Sequence, residues 1–157
     1  MTSFQEFLKK KAEEQRDVPA RERREEWVAS LDRLWDQVVA WLKEDDPEGF
    51  LAISRGTTSL TERGLGTYDA PTLDISVGGS EVSMRPIARN VVGSVDLPGR
   101  APRRADGCVD IADRSTRYRI YRIVEDGREA WYAVGERHKV SPLDKARLEE
   151  ILQDLLS

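Results

Sequence analysis

The sequence predicts an α+β fold: N-terminal and C-terminal helices packed on one face of a five- or six-stranded antiparallel meander sheet. Two changes of period carry that expectation. Apolar residues recur at helical spacing over the first fifty positions and again over 141–157, while the stretch between them alternates with a period of two and is broken by tight turns. At 157 residues the chain suits a single domain. Its parts read as a helical segment over 1–46, an antiparallel sheet over 50–135 and a C-terminal helix over 141–157.

Ser3-Phe4-Gln5-Glu6 fits a capping box that opens the first helix. Phe4, Phe7 and Leu8 give it a short apolar stripe with little to bury beyond Leu8, so this helix needs a partner surface or frays. Asp17-Val18-Pro19 reads as a break and a restart, because proline is tolerated in a first helical turn. From Arg21 to Lys43 the pattern is strongly helical. Val28, Leu31, Trp35, Val38 and Leu42 form one row, and Trp27, Leu34 and Trp41 widen it into a broad apolar face. Pro47 and Gly49 end the helix.

Phe50–Ser54 reads as an edge strand, and Arg55–Ala70 as a loop. Leu73, Ile75 and Val77 then alternate with polar residues, Gly78-Gly79 turns the chain, and Val82 and Met84 continue the alternation. Val91–Leu97 reads as a strand stopped by Pro98-Gly99. Further strands follow at Cys108–Ile111, Tyr118–Val124 and Arg128–Val134, the last two joined by Asp126-Gly127 as a two-residue hairpin turn. Ser141-Pro142-Leu143-Asp144 supplies a cap and a first-turn proline for the final helix, with Leu148, Ile151, Leu152 and Leu155 as its buried stripe.

Acids (29) and bases (25) cancel to −4. No window approaches the ~18 consecutive apolar residues of a membrane span, and the N-terminus lacks the apolar run of a secretory signal. One cysteine, Cys108, and one histidine, His138, leave no disulfide framework and no multi-histidine metal site. The expectation is a cytoplasmic protein with no membrane partner, no cofactor and no metal.

Catalytic readings are thin. Asp106, Asp110 and Asp113 lack the spacing of a calcium loop, and Asp106 and Asp113 fall at turns where aspartate is favoured for its own backbone hydrogen bonds. A Cys108–His138 nucleophile and base would need a helix N-terminus or glycine elbow that neither residue has. No phosphate-loop signature occurs. The expectation is a protein without catalytic residues.

One feature stands above the background. Residues 85–128 carry ten arginines against six acids, whereas residues 1–50 carry nine bases against thirteen acids. The overall −4 therefore conceals a local +4 on the sheet. The candidate binding surface is Arg85, Arg89, Arg100, Arg103, Arg104, Arg117 and Arg119, with Tyr121 and Trp131 as outward aromatics. A sheet face open to solvent would present these residues. The first functional expectation is a binding or adaptor module acting through a protein partner, using that face and the tryptophan-bearing helix. The alternative is a nucleic-acid-binding accessory protein, since bases stack on aromatics while arginines meet phosphates; the acidic pI of about 5.2 weighs against it. Three tryptophans on one helix also point to a homodimer through Trp27, Trp35 and Trp41.

Overall fold

A computed structural model describes residues 3–135 and 139–157, with side chains for all of these except 13–18. The elements run α1 (Ser3–Glu44), β1 (Ala52–Glu62), β2 (Gly66–Val77), β3 (Ser80–Ala88), β4 (Ser94–Val95), β5 (Arg103–Arg104), β6 (Cys108–Ala112), β7 (Arg117–Glu125), β8 (Arg128–Val134), β9 (Val140–Pro142) and α2 (Lys145–Leu155). The fold is α+β. Its main sheet is a seven-stranded antiparallel meander in the order β1-β2-β3-β6-β7-β8-β9, and β4 and β5 form a separate two-stranded ribbon.

The strand count exceeds the expected five or six for two reasons. Arg55–Ala70 is not a loop: it supplies most of β1 and the first five residues of β2, within a pairing that runs in unbroken register from Ala52↔Ser76 to Glu62↔Gly66. Its serines, threonines and Gly56 hide the strand signal, because much of β1 is an exposed edge with little apolar side chain to alternate. At the other edge, Ser141 and Pro142 lie in β9 rather than in the helix cap. Proline is acceptable on an edge strand, and the N-cap is Asp144, whose carboxylate accepts from the Arg147 N–H at 2.8 Å. A third correction concerns Val91–Leu97, of which only Ser94–Val95 is strand, within the ribbon. The Asp126-Gly127 turn is as expected, with φ of 51° and 74° suited to the twist of a hairpin.

The helical reading also changes at one point. No break occurs at Asp17-Val18-Pro19, and α1 continues through Pro19. A mid-helix proline removes one backbone hydrogen bond and bends the helix, but the turns on either side remain intact.

Both helices pack on one sheet face. Trp27, Leu31, Trp35 and Val38 of α1 and Leu148, Ile151 and Leu155 of α2 share a core with Leu73, Ile75, Val82, Met84, Val109, Ile111, Ile120 and Ala133 from five strands. The Trp35 indole N–H donates to the Pro71 carbonyl at 2.9 Å. This burial takes Trp27 and Trp35 out of the surface expected to join two copies. Trp27 and Trp35 are fully enclosed, and Trp41 packs half-buried against the same core.

Only the second half of α1 is held this way. Arg23 and Arg24 donate to the Gly64 and Leu65 carbonyls of the β1–β2 turn. Toward the N-terminus from there the described side chains are exposed apart from a half-buried Ala20.

Candidate functional site

The second sheet face holds most of the arginine surface, and period two decides which residues reach it. On β7, Arg117, Arg119, Tyr121 and Ile123 project there, while Ile120 and Arg122 turn toward the helices. On β3, Ser83, Arg85 and Ile87 project outward, and Val82 and Met84 enter the core.

Part of this face is covered. The excursion between β3 and β6 folds back over β7 and β8, where Val95, Leu97 and Ala105 bury Ile123 against Tyr121 and Tyr132. Three of the candidate arginines secure that flap. Arg100 pairs with Glu125, and Arg103 reaches Asp106 at 3.1 Å, Glu125 at 3.2 Å and the Val124 carbonyl at 3.2 Å. Arg104 donates to the Val91 carbonyl at 2.6 Å. The hydrogen bond from Arg100 holds the Glu125 carboxyl below its ordinary value. Arg89 sits half-buried at the end of β3, where its backbone N–H donates to Glu62 at 3.0 Å and its side-chain Nε is buried without a partner among the described residues.

The uncovered part is a groove of about 670 Å3 over β3 and β6, closed at one end by the β6–β7 turn. Its floor carries Ser83, Arg85, Asp110 and Ala112, with Arg114 at the mouth. Asp110 accepts from Arg119 through both oxygens, at 2.8 and 3.4 Å, and Arg117 stands 3.8 Å away. Arg85 lies opposite Asp110 in the register yet makes no hydrogen bond or ion pair with any described residue. Among the described residues the groove offers the guanidiniums of Arg85 and Arg114 without an ion-pair partner, beside the carboxylates of Glu81 and Asp113; the Ser83 hydroxyl already donates to Asp74 at 2.8 Å, and Ile87 adds an apolar side.

The aromatics do not join it. Tyr121 is packed beneath the flap. Trp131 lies on the opposite face, against Trp27 with ring centroids 6.1 Å apart. The expected interleaving of arginines and aromatics fails because Trp131 pairs with Arg122, on the helix side of the sheet.

The remaining candidates resolve into structural roles. Asp113 accepts from the backbone N–H groups of Ser115 and Thr116 at 2.8 and 2.6 Å, which lowers its carboxyl below the usual range. Burial pushes the Cys108 thiol up to about 12, so almost none of it is the nucleophilic thiolate at neutral pH. His138 lies outside the described residues. Among the described residues no group of three or more His, Cys, Asp or Glu side chains could hold a metal ion, and no helix is long and apolar enough to cross a membrane.

One residue escaped the sequence reading altogether. Arg122 is 1% exposed and donates to Glu26 on α1, to Glu129 on β8 at 3.1 Å and to the Asp106 carbonyl at 3.2 Å. Its guanidinium also stands 5.7 Å from the Trp27 ring centroid. Burial works to raise the Glu129 carboxyl, but hydrogen bonds from Arg33, Ser30 and Arg122 outweigh it and hold the group below its ordinary value. The available signal was parity: Arg122 falls in register with Tyr118 and Ile120, where an apolar residue is expected. Comparison with family models, curated proteins and solved structures finds no match to this chain.

Proposed function

We propose that the chain is a protein-binding module whose groove over β3 and β6 receives an acidic, extended segment of a partner. The observation that carries this reading is Arg85, an exposed arginine lining the groove that no carboxylate among the described residues engages, while Arg117 and Arg119 beside it share Asp110. A carboxylate side chain suits the planar fork of a guanidinium. The Ser80 and Ser83 hydroxyl oxygens can accept from backbone N–H groups of a polypeptide, Ser83 donating meanwhile to Asp74, and Ile87 supplies an apolar contact. The tryptophan-bearing helix plays no part, since its tryptophans belong to the core.

Nucleic acid is the weaker reading, because the arginines that would meet phosphates are mostly spent on Asp106, Asp110 and Glu125. The test is co-purification from the source cells with wild-type protein and with Arg85→Glu/Arg114→Glu as bait. The expected result is one stoichiometric acidic partner, lost with the variant. Equal recovery by both baits removes the groove as the site. A gel shift with single-stranded nucleic acid that fades steeply with salt and is abolished by the same variant would favour the alternative.

A further inference from the structure

Three of the largest exposed apolar side chains sit together at one end of the molecule. Phe4, Phe7 and Leu8 are 65%, 54% and 50% exposed and lie at i, i+3 and i+4 on one side of α1, with the Phe4 and Phe7 rings stacked 6.5 Å apart. Lys9 and Lys10 follow at once in the sequence, and the Lys11 ammonium stands 6.0 Å from the Phe7 ring centroid. The tip is therefore apolar and basic. Short unsupported helices are marginal in water, so a surface that covers these residues would also stabilise this turn of α1.

The opposite end of the molecule has the complementary character. A groove of about 530 Å3 lies between the C-terminal ends of α1 and α2, walled by Leu42, Leu51, Leu152 and Leu156. Its other lining residues include Asp45, Asp46 and Glu149, and no basic residue among the described ones lines it. The nearby Lys145 is shared between Glu44 at 2.9 Å and Asp45 at 3.1 Å, which leaves the rim with an excess of carboxylates. Asp45 and Glu149 also interact directly, and the Glu149 carboxyl is raised chiefly by that neighbour.

We propose that the chain associates with copies of itself head to tail, the Phe4, Phe7 and Leu8 tip of one copy seating in the groove between α1 and α2 of the next. The tip cannot reach its own groove. From Phe7 to Leu42 the helix rises about 50 Å at ~1.5 Å per residue, and α1 is continuous between them. The contact joins two different surfaces, so it extends into an open chain unless the rotation closes a ring. Lys9 and Lys10 meeting carboxylates fix the polarity and make the association sensitive to salt. This assembly uses neither Arg85 nor the groove over β3 and β6, so it stands or falls apart from the proposed partner binding.

Sedimentation velocity on the full chain over a concentration series tests it. Wild type is expected to gain mass with concentration and to lose that gain in high salt. A tip variant, Phe4→Ser/Phe7→Ser/Leu8→Ser, and a groove variant, Asp45→Lys/Glu149→Lys, should each remain monomeric. Phe4, Phe7, Leu8 and Asp45 are exposed and Glu149 is half-buried, so the circular dichroism spectrum of each variant is compared with wild type, and the single variant Asp45→Lys serves as the groove variant if the pair loses helix. Mixed together, the two variants should form a 1:1 complex and nothing larger, since only one intact tip and one intact groove remain between them. Wild type that stays monomeric at every concentration overturns the proposal. So does association lost in the tip variant but kept in the groove variant, which would indicate a tip-to-tip dimer. Vesicles containing anionic lipid supply the last arm: tip-dependent vesicle binding together with a monomeric wild type would assign the tip to a membrane surface instead.

Discussion

Arg119 and Arg122 lie three positions apart on β7 and on opposite faces of the sheet. Arg119 meets one carboxylate on a half-exposed face, whereas Arg122 is enclosed by α1, Trp27 and the carboxylates of Glu26 and Glu129. The difference teaches that the same residue type fills two separate needs. On the covered face an arginine links helix to sheet and cannot exchange partners without exposing a buried charge. On the uncovered face the arginines pair loosely enough to leave Arg85 available.

Removing Arg122 should have the largest effect. Arg122→Met leaves Glu129 partly buried without its main-chain-anchored partner, and breaking a buried pair costs about 3–5 kcal/mol. Urea unfolding should show the midpoint falling with the slope unchanged. A loss under 1 kcal/mol would mean the two faces are energetically alike. Gly107→Ala should come next. A Cβ there would stand 2.3 Å from the Trp27 ring that lies against Arg122. Overpacking of this kind costs roughly 1–3 kcal/mol, and a thermal melt unchanged from wild type would show that Trp27 can move aside.

The pH dependence sharpens the same contrast. Glu129 is held below its ordinary value of 4.5 in the folded state. Its contribution is therefore present above pH 4.5 and is lost as pH falls through the lowered folded value. Glu129→Gln should flatten stability against pH in that acidic window and leave the profile above pH 6 parallel to wild type. A variant as acid-sensitive as wild type would assign the loss to other carboxylates. On the uncovered face the effects should follow the burial of the partner. Arg119→Ala leaves the buried Asp110 carboxylate with only Arg117, 3.8 Å away, and should cost about 1–3 kcal/mol. Arg85→Ala should change stability by no more than ~0.5 kcal/mol while weakening partner binding, and a larger stability loss would place it in a structural network.

The helices and the turns were legible because their signals are local. The row from Trp27 to Leu42, the stripe from Leu148 to Leu155 and the Asp126-Gly127 turn each sit within a few residues. The hairpin of β1 and β2 was not, since Arg55 to Thr61 carries no apolar alternation and owes its extended form to pairing with β2. The candidate surface was half legible. The positions of Arg85, Arg117 and Arg119 follow from period two, but the flap over Tyr121 depends on how residues 89–107 fold back across a distant pair of strands.

The sequence by itself determined the α+β class, the helix-covered face and the charge asymmetry between the helical beginning and the sheet, because periodicity and composition are properties of neighbouring residues. Only the tertiary structure decided that most of those arginines are paired and that one of them is buried. It also left Arg85 open and set the apolar tip of α1 at the far end of the molecule from its acidic groove. Each of those outcomes depends on which side chains, far apart in the chain, the folded backbone brings within a few ångströms.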